Sequence, residues 1–473
     1  MKNIRTIILA ISASLCMVSC EGFLEKGPIL QQSTELTLST YAGLSSATMG
    51  AYSYLASTSW YGGDKILESE MRSGNGIKAL AHTSNRYMTE YNWNYTSDAT
   101  SSLWAYGYYT IARCNNVIDN LEGKEEPGVV STQDLNNLKA ECLFIRALAH
   151  LDMVLLYAQP YTYKKDGMGV PVVLHTEPDA RPARNTVAEV YAQVEADLLE
   201  AEKIISPSYT HPGVADKKAS VSLDAIRALL SRVYLYMGKW NECAEYATKV
   251  IDNKNYKLWT ADEYADVWTN EVGGSEVIFE VYIDISNNSN ENPSYMTYPE
   301  GAYGDCISSL ELYNSYEDGD VRLDCFIQDS KGNEGLYWTT KYAGKGVTTP
   351  DANNTVVLRL SEMYLNRAEA TVNGAKSSAS AVSDLNAITS NRGASAYTSV
   401  GMADIRAERR KELAWEGHYF FDLARWNMAC NREANSFLQD KNRNIPFPDY
   451  RWALPIPKRE LEVNESLIQN DNY

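Results

Sequence analysis

Two long segments with a helical spacing of apolar residues and clear signals at both ends constrain the fold of this chain most. In the first, Ser131 and Asp134 have the spacing of a capping box, and apolar residues recur on one helical face until Pro160. In the second, Thr186 and Glu189 repeat the capping box, and a proline again follows the apolar pattern. Because the N-terminal cap, the helical period and the terminating proline agree in both segments, the sequence predicts two long helices in a mostly α protein.

Shorter helices are predicted in antiparallel pairs. A helix that begins at Ser222 is followed by the turn 238–240 and a second helix, and a comparable pair is predicted at 357–371 and 379–388. Small residues lie where the helices of the first pair would cross, which resembles a tetratricopeptide unit. No strict repeat period is present, so the pairs are diverged or local.

Two segments between the helical parts have a different composition. Residues 57–104 and 260–355 are rich in Tyr, Trp, Asn, Ser and Gly, which predicts long loops and a few short strands, such as one from Val277 to Ile283. We refer to them as the first and the second aromatic loop. Loops of this length inside a compact domain are usually functional.

The N-terminus has the pattern of a secretory signal and is not expected to belong to the fold. Lys2 and Arg5 precede a short apolar run at 7–17, and Cys20 follows it. The run is too short to span a bilayer and is typical of a signal peptide over residues 1–19, cleaved before a lipid-modified Cys20. A plain secretory signal that is cleaved nearby is the alternative.

The rest of the chain shows no division into domains. No sharp change of charge or of Pro and Gly content is present, so we expect a single domain over residues 20–473. Its N-terminal half covers about 20–220 and its C-terminal half about 221–473. Cys142 and Cys243 occupy apolar helical positions and none of the cysteines forms a Cys-x-x-Cys pair, which predicts buried thiols. One or two disulfides stay open as the alternative.

The chemical groups of the chain favour binding over catalysis. A formal net charge of −18 argues against nucleic acid as a partner. No Gly-x-Ser-x-Gly elbow, His-Glu-x-x-His motif or phosphate loop is present, and the five histidines carry no metal-ligand spacing, so we expect no metal or other cofactor. Carboxylates are plentiful, and a glycosidase needs only two at the right separation, so a surface glycoside hydrolase stays open.

Tyrosine and tryptophan are the positive signal for function. The chain has 33 Tyr and 10 Trp but 8 Phe, an excess of rings that carry a polar group. Such rings stack on the C–H face of a sugar while amides and guanidinium groups bond its hydroxyls. Packing beneath a loop is the alternative for each of them. The candidate ligand-binding residues are Arg72, Asn75, Tyr91 and Trp93 in the first aromatic loop, and Tyr295 and Trp338 in the second.

Ordered motifs that run through nearly the whole chain resemble one protein family. They include Cys114-Asn115-Asn116, Phe144-Ile145-Arg146-Ala147, Glu408-Arg409-Arg410-Lys411-Glu412-Leu413-Ala414-Trp415-Glu416-Gly417, Phe421-Asp422-Leu423-Ala424-Arg425-Trp426 and Leu454-Pro455-Ile456-Pro457. Together they resemble the SusD/RagB family of outer-membrane nutrient-binding lipoproteins. Physically, the charged run at 408–416 offers ion pairs along a helix, so a structural role is expected for it.

The resemblance implies a SusD-like helical fold with tetratricopeptide-like helix pairs, held on the cell surface at the outer membrane by a lipid anchor. It implies capture of oligosaccharides for a SusC-like TonB-dependent transporter, over which the protein sits as a lid, and no catalysis. Oligopeptide binding of the RagB type is the first alternative, and a surface glycoside hydrolase is the second. The ligand residues of the family follow no fixed motif, so none is transferred to a position of this chain.

Overall fold

The described part of the chain is mainly helical, with short strands. The structure, a computed structural model, describes residues 34–79, 84–98, 101–269, 273–284, 293–297, 302–328, 335–344 and 353–473. The predicted signal peptide, residues 1–19, and Cys20 lie outside the described residues. The mostly α fold that the sequence predicts is confirmed.

The helices fall into two groups along the chain. Up to residue 204 they are α1 (Thr34–Thr37), α2 (Tyr41–Leu55), α3 (Asp64–Ser73), α4 (Met88–Asn92), α5 (Ser101–Ile118), α6 (Thr132–Tyr157), α7 (Tyr161–Lys164) and α8 (Val187–Ile204). The later helices are α9 (Leu223–Met237), α10 (Trp240–Ile251), α11 (Pro293–Thr297), α12 (Leu310–Tyr313), α13 (Leu360–Val372), α14 (Ala381–Ser390), α15 (Met402–Glu412), α16 (Tyr419–Arg425) and α17 (Lys458–Val463).

The strands are short and pair in twos, all antiparallel. The pairs are β1 (Gly76–Ile77) with β3 (Ile307–Ser308), β2 (Val277–Val281) with β6 (Thr355–Arg359), β4 (Phe326–Ile327) with β5 (Trp338–Thr339), and β7 (Cys430–Asn431) with β8 (Asn444–Ile445). Each pair joins segments that are distant in sequence or separated by a loop, so the strands fasten loops to the helical body.

The two long helices predicted from capping boxes, α6 and α8, are confirmed. The Ser131 hydroxyl accepts the backbone N–H of Asp134 at 3.2 Å, and the Asp134 carboxylate accepts the N–H of Ser131 at 2.8 Å. The Ser131 hydroxyl also donates to the Asp134 carboxylate at 2.7 Å, and this bond, together with the one from the Ser131 N–H, lowers the pKa of Asp134 below its ordinary value. Thr186 and Glu189 make the same pair of bonds at the start of α8. Local sequence therefore determines where both helices begin.

The predicted helix pairs are present, with one correction. Helix α9 packs against α10 across a turn in which Gly238 has a φ of +69°, and α13 packs against α14. The second pair was predicted to begin at residue 357, but residues 355–359 form β6. β-Branched residues at 355–357 favour a strand, and pairing with β2 decides the outcome.

The cysteines of the described chain are buried free thiols. Cys142 on α6 and Cys243 on α10 lie in the interior, as predicted from their apolar helical positions. The other four, Cys114, Cys306, Cys325 and Cys430, are also buried and unpaired. The alternative of one or two disulfides is therefore not what the structure shows.

A buried ion network surrounds the end of α15. Glu412 lies 2.7 Å from Arg359, 2.8 Å from Arg392 and 3.0 Å from Arg322, measured between charged atoms. All four side chains are buried. Burial raises the pKa of the Glu412 carboxyl, but Arg392, Arg359 and Arg322 together hold it well below its ordinary value. Glu412 is therefore ionised, and the three guanidinium groups balance its buried negative charge.

Other carboxylates complete the network from different parts of the chain. Glu276, just before β2, contacts Arg359 at 2.7 Å and Arg392 at 3.0 Å, while Glu416 contacts Arg359 at 2.7 Å. Glu408 contacts Arg322 at 2.6 Å. These buried charges therefore pair between elements, whereas the sequence predicted pairs along one helix.

One local pair of the predicted kind is present in α15. Lys411 lies 3.0 Å from Glu408 at a spacing of three residues. The structural role that was expected for the charged run is seen in the burial of Glu408, Arg409, Glu412 and Glu416. Spacing along a helix reveals pairs on its own face, but it does not reveal partners that come from other elements.

Neutralising Glu412 should destabilise the protein strongly. We expect Glu412→Gln to lower the free energy of unfolding by about 3–5 kcal/mol, because three buried guanidinium groups lose a charged partner. Denaturant unfolding followed by circular dichroism measures the change. Glu245→Gln is the matched control: Glu245 pairs with Lys249 at 2.9 Å on the exposed face of α10. That variant should cost about 0.5 kcal/mol or less, and equal losses in the two variants would contradict the prediction.

The same pair of variants has a defined pH dependence. The pKa of Glu412 in the folded protein lies below its ordinary value of 4.5. The network's contribution is therefore complete above about pH 4.5 and is lost as the pH falls through the lower folded value. The difference between wild type and Glu412→Gln should accordingly shrink below that pH and stay constant above it.

Candidate functional site

Short strands bring the two aromatic loops together. Strand β1 belongs to the first loop and pairs with β3 of the second, and the Ser309 N–H donates to the carbonyl of Asn75 at 2.8 Å. Within β3, the Ser308 N–H donates to the carbonyl of Tyr337 at 2.8 Å. The two segments, separated by more than a hundred residues in sequence, thus share one surface.

Arg72, one of the predicted ligand-binding residues, lies inside the protein. Its guanidinium carbon is 3.9 Å from the ring centroid of Phe420 and 5.0 Å from that of Trp93. Its Nη2 donates to the carbonyl of Arg451 at 2.8 Å, and its Nη1 lies 3.4 Å from Glu68. Burial raises the pKa of Glu68 to about 7. Arg72 therefore joins the first aromatic loop to the C-terminal part of the chain.

The two predicted tryptophans are also internal. The indole N–H of Trp93 donates to the carbonyl of Arg72 at 3.1 Å, and its ring packs edge-on against Trp452 with centroids 5.0 Å apart. The indole N–H of Trp338 donates to the carbonyl of Gly304 at 2.9 Å. Each indole N–H therefore links two segments of the same aromatic loop.

Two further candidates, Tyr91 and Asn75, also lie inside the protein. Tyr91 is buried, and burial raises its pKa to about 12. The Asn75 side chain donates to Glu70 at 2.8 Å and accepts from Arg410 at 2.9 Å. Tyr295 lies in α11, and its side chain is outside the described residues.

Packing beneath a loop, which the sequence left as the alternative, describes five of the six candidates. The side chains of Arg72, Asn75, Tyr91, Trp93 and Trp338 belong to residues that are between 0 and 2% exposed. Ligand contact by these residues stays a prediction, and it would require the loops to open. Arg72 lies on α3, Tyr91 on α4 and Trp338 in β5, so these side chains pack short regular elements against the rest of the chain where the sequence predicted long loops.

Above these buried residues, Tyr303 and Arg86 reach the surface together. The Arg86 guanidinium carbon lies 3.7 Å from the ring centroid of Tyr303, and the residues come from different aromatic loops. Tyr303 is 37% exposed and the Arg86 side chain 40%. Asp305 holds Arg86 at 3.2 Å and the buried Lys78 at 3.3 Å. This contact presents an aromatic ring, a guanidinium and a hydroxyl on one patch.

A pair of stacked tyrosines lies beside the same strands. The rings of Tyr313, at the end of α12, and Tyr337 stack with centroids 3.6 Å apart and planes at 12°. Phe326 packs edge-on against Tyr313 at 5.8 Å and 90°. Both tyrosines are half-buried, so the pair is braced and still accessible. We call the two contacts, Arg86 with Tyr303 and Tyr313 with Tyr337, together the two-loop surface, because both are accessible and both lie beside the strands that join the aromatic loops.

All four residues lie within the two aromatic loops, but none of them is among the candidates predicted from the sequence. Composition does not show which rings of a loop reach the surface. Tyr313 is the last residue of α12, four positions after the helix cap Ser309. Exposure depends on packing partners from the rest of the chain.

The two-loop surface has the groups for binding a polar ligand with apolar faces. Tyrosine rings provide flat apolar contacts, and their hydroxyls and a guanidinium provide hydrogen bonds. Within the described residues, no three His, Cys, Asp or Glu side chains are placed to hold a metal ion. In that same part of the chain, every helix is too short or too polar to cross a bilayer.

Known proteins share both the sequence pattern and the fold. Residues 22–235 match a family profile described as starch-binding associating with outer membrane, and residues 327–473 match the SusD family profile. A solved SusD superfamily protein from Bacteroides thetaiotaomicron is 30% identical, with a TM-score of 0.82, over 92% of this chain and all of that one. The chain belongs to the SusD/RagB family. The family and the SusD-like fold predicted from sequence are thereby confirmed.

More distant members share the fold along their whole length. A SusD-like protein of Formosa agariphila is 23% identical over 99% of this chain and 98% of its own. A solved laminarin-binding SusD-like protein is 24% identical, with a TM-score of 0.74, over 91% of this chain and 99% of its own. Tyr303 and Tyr313 lie in the segment 236–326, which neither SusD/RagB profile matches. Their role is therefore argued from geometry alone.

Truncating Trp93 should affect stability first. We expect Trp93→Ala to lower the free energy of unfolding by about 3–5 kcal/mol, because it removes a buried ring and an indole hydrogen bond. Tyr303→Ala, at an exposed ring of the two-loop surface, should change it by about 0.5 kcal/mol or less. Thermal and denaturant unfolding measure both variants. An unfolding curve of Trp93→Ala that matches wild type would show that Trp93 does not brace the loops.

Proposed function

We propose that this SusD/RagB protein is a surface lipoprotein of the outer membrane that captures oligosaccharides at the two-loop surface. It would deliver them to a SusC-like TonB-dependent transporter and carry out no catalysis. The observation that carries the proposal is the patch of exposed, braced tyrosines with a guanidinium where the two aromatic loops meet. Family membership and the laminarin-binding relative support a glycan as the ligand class.

The geometry of the patch suits a sugar chain. Tyr313 and Tyr337 cover each other on one face, so each keeps at most one face for a ligand. An apolar C–H face of a pyranose packs on such a ring, while equatorial hydroxyls lie at its rim. The Arg86 guanidinium is fixed by Asp305 at 3.2 Å and can donate further hydrogen bonds from its remaining N–H groups. The buried residues below hold these groups in place before the ligand arrives, which lowers the entropy cost of binding.

The acidic character of the chain favours a neutral ligand. A net charge of −18 disfavours polyanionic glycans at long range, although salt screens this effect. Neutral glucans, xylans and mannans are therefore the first ligands to test, together with peptides as the alternative class.

Loss of the exposed rings should abolish most of the glycan affinity. We expect isothermal titration with laminarin, starch, xylan and mannan to identify at least one ligand. The double variant Tyr303→Ala/Tyr313→Ala should bind that ligand at least about fivefold more weakly, because two stacking contacts are each worth about 0.5–1.5 kcal/mol. Tyr109→Ala is the matched control, since Tyr109 is a 53% exposed ring on α5, outside the two-loop surface.

The outcomes separate the candidate functions. Equal affinity of the double variant and wild type would remove the two-loop surface as the site. Binding of a peptide library in place of every glycan would favour the oligopeptide function. Release of reducing sugar during incubation with a bound glycan would favour a glycoside hydrolase.

Experiments in cells test the lipid anchor and the transporter partner. We expect the full-length chain to fractionate with the outer membrane and to co-purify with a TonB-dependent transporter after cross-linking. Cys20→Ala should move the protein to the soluble fraction, because the lipid attachment site is lost. Ser19→Gly, which keeps a small residue before the cysteine, is the control. Unchanged membrane association of Cys20→Ala would contradict the lipid anchor.

A further inference from the structure

A cleft that is distinct from the two-loop surface lies between the end of α6, helix α7 and the C-terminal tail. Its volume is about 510 Å³, which falls in the range of about 300–1,000 Å³ that is typical of small-molecule sites. None of its lining residues belongs to the two-loop surface, and none of them lies in a named strand. The cleft is therefore a separate feature of the fold.

Hydrogen bonds from two half-buried amide side chains hold the floor of the cleft in place. Gln469 accepts the N–H of Ile456 at 2.7 Å and donates to the carbonyl of the same residue at 2.8 Å. Asn470 donates to the carbonyls of Tyr157 at 2.9 Å and Leu454 at 2.7 Å. Because these amides fasten the tail to the end of α6, the cleft is preformed.

Two tyrosine rings stand at the rim of the cleft and are held from one side. Tyr163 on α7 is 47% exposed and packs against Phe447 with centroids 5.2 Å apart and planes at 77°. Tyr450 is 37% exposed and packs against Tyr473 at 5.0 Å and 73°. An edge-on contact covers at most one face of a ring, which leaves Tyr163 a face for a ligand. The Arg451 guanidinium lies 5.8 Å from the centroid of Tyr450, so the accessible face of that ring is the more restricted of the two.

The walls offer hydrogen-bonding groups that the protein itself does not use. The Gln159 side chain donates to the carbonyls of Asp449 and Tyr450, but its buried Oε1 has no partner in the described structure. Asp166 also makes no hydrogen bond within the described residues. A buried acceptor without a donor is uncommon, and a ligand hydroxyl would satisfy it.

The charges of the cleft disfavour an anionic ligand. Lys164, the one cation among its lining residues, lies 3.5 Å from Asp471, and Arg451, outside the lining, pairs with Asp449 at 2.8 Å, which leaves Asp166 as the lining carboxylate without an ion pair in the described residues. An anionic ligand would therefore meet Asp166 and no unpaired cation. A peptide that adds a strand needs a sheet edge, which this lining lacks. Aromatic faces with carboxylate and amide acceptors fit a neutral, hydroxyl-rich ligand.

We propose that this cleft is a second carbohydrate-binding site, which takes a short neutral oligosaccharide between Tyr163 and Tyr450. Each ring stacks on one sugar unit, and Gln159 and Asp166 accept hydrogen bonds from hydroxyls. The site is independent of the two-loop surface, since the rings and acceptors come from other segments. Two sites on one chain would let it hold a polymer at two points, which raises its effective affinity for long chains.

Ligand-observed NMR with trisaccharides tests the cleft directly. Saturation transfer is measured for maltotriose, laminaritriose, xylotriose and mannotriose with the full mature protein. We expect at least one trisaccharide to bind, and Tyr163→Ala/Tyr450→Ala to weaken it at least about tenfold. Tyr163→Phe/Tyr450→Phe keeps both rings and should stay within about threefold of wild type. Hydrogen exchange should slow at residues 159–168 and 448–472 when that trisaccharide is added.

The variants keep this proposal distinguishable from the proposed function. Tyr303→Ala/Tyr313→Ala should leave the trisaccharide signal that depends on the cleft unchanged, even if it abolishes binding of the polysaccharide at the two-loop surface. The cleft proposal is overturned if no trisaccharide binds, or if the cleft double alanine variant binds like wild type. Melting temperatures confirm that the variants fold, and the single variants Tyr163→Ala and Tyr450→Ala replace the double one if it is unstable.

Discussion

The carboxylate of Glu412, buried among Arg322, Arg359 and Arg392, is the interaction on which the rest of the structure depends. A buried charge without partners is very costly, so these four side chains have to assemble together or not at all. They come from α15, from β6 and from two loops that are far apart in sequence. With Glu276 at the start of β2 as a further partner, the network connects the second aromatic loop to the helical pairs.

Hydrogen bonds from the turn that follows α15 connect this ion network to the two-loop surface. Trp415 has a left-handed backbone, with φ at +65°, and its indole donates to the hydroxyl of Ser308 in β3 at 2.8 Å. The hydroxyl of Tyr342 donates to the Trp415 carbonyl at 2.8 Å, and Arg410 on α15 reaches Asn75 in the first aromatic loop at 2.9 Å. The charged run that resembles a family signature thus supports the two-loop surface from below.

The helices can be predicted from the sequence, but the packing of the loops cannot. Helix ends depend on neighbouring residues, whereas loop packing depends on residues that are distant in sequence. The capping boxes at Ser131 and Thr186 lie within one turn of the helices that they start, so a short window of sequence contains the whole signal. Arg72 looks like a ligand-binding residue when only its neighbours are read. Two of its partners, Phe420 and the carbonyl of Arg451, lie more than three hundred residues away. For the same reason the helix predicted from residue 357 overlaps the last three residues of β6, since pairing with β2 decides their conformation.

Part of the excess of tyrosine and tryptophan over phenylalanine has a structural cause. In the first aromatic loop the hydroxyl of Tyr61 donates to Asp152 at 2.6 Å and that of Tyr95 to Glu68 at 3.0 Å. The indole of Trp93 in the same loop and that of Trp338 in the second loop donate to backbone carbonyls. A phenylalanine could fill these positions but could not make the bonds, and loops with little regular pairing need them. Ligand binding then requires a small number of rings that remain exposed. Tyr and Trp serve both to brace the loops and to bind ligands. Only the packing of the whole chain therefore shows that Trp93 is buried and Tyr303 exposed.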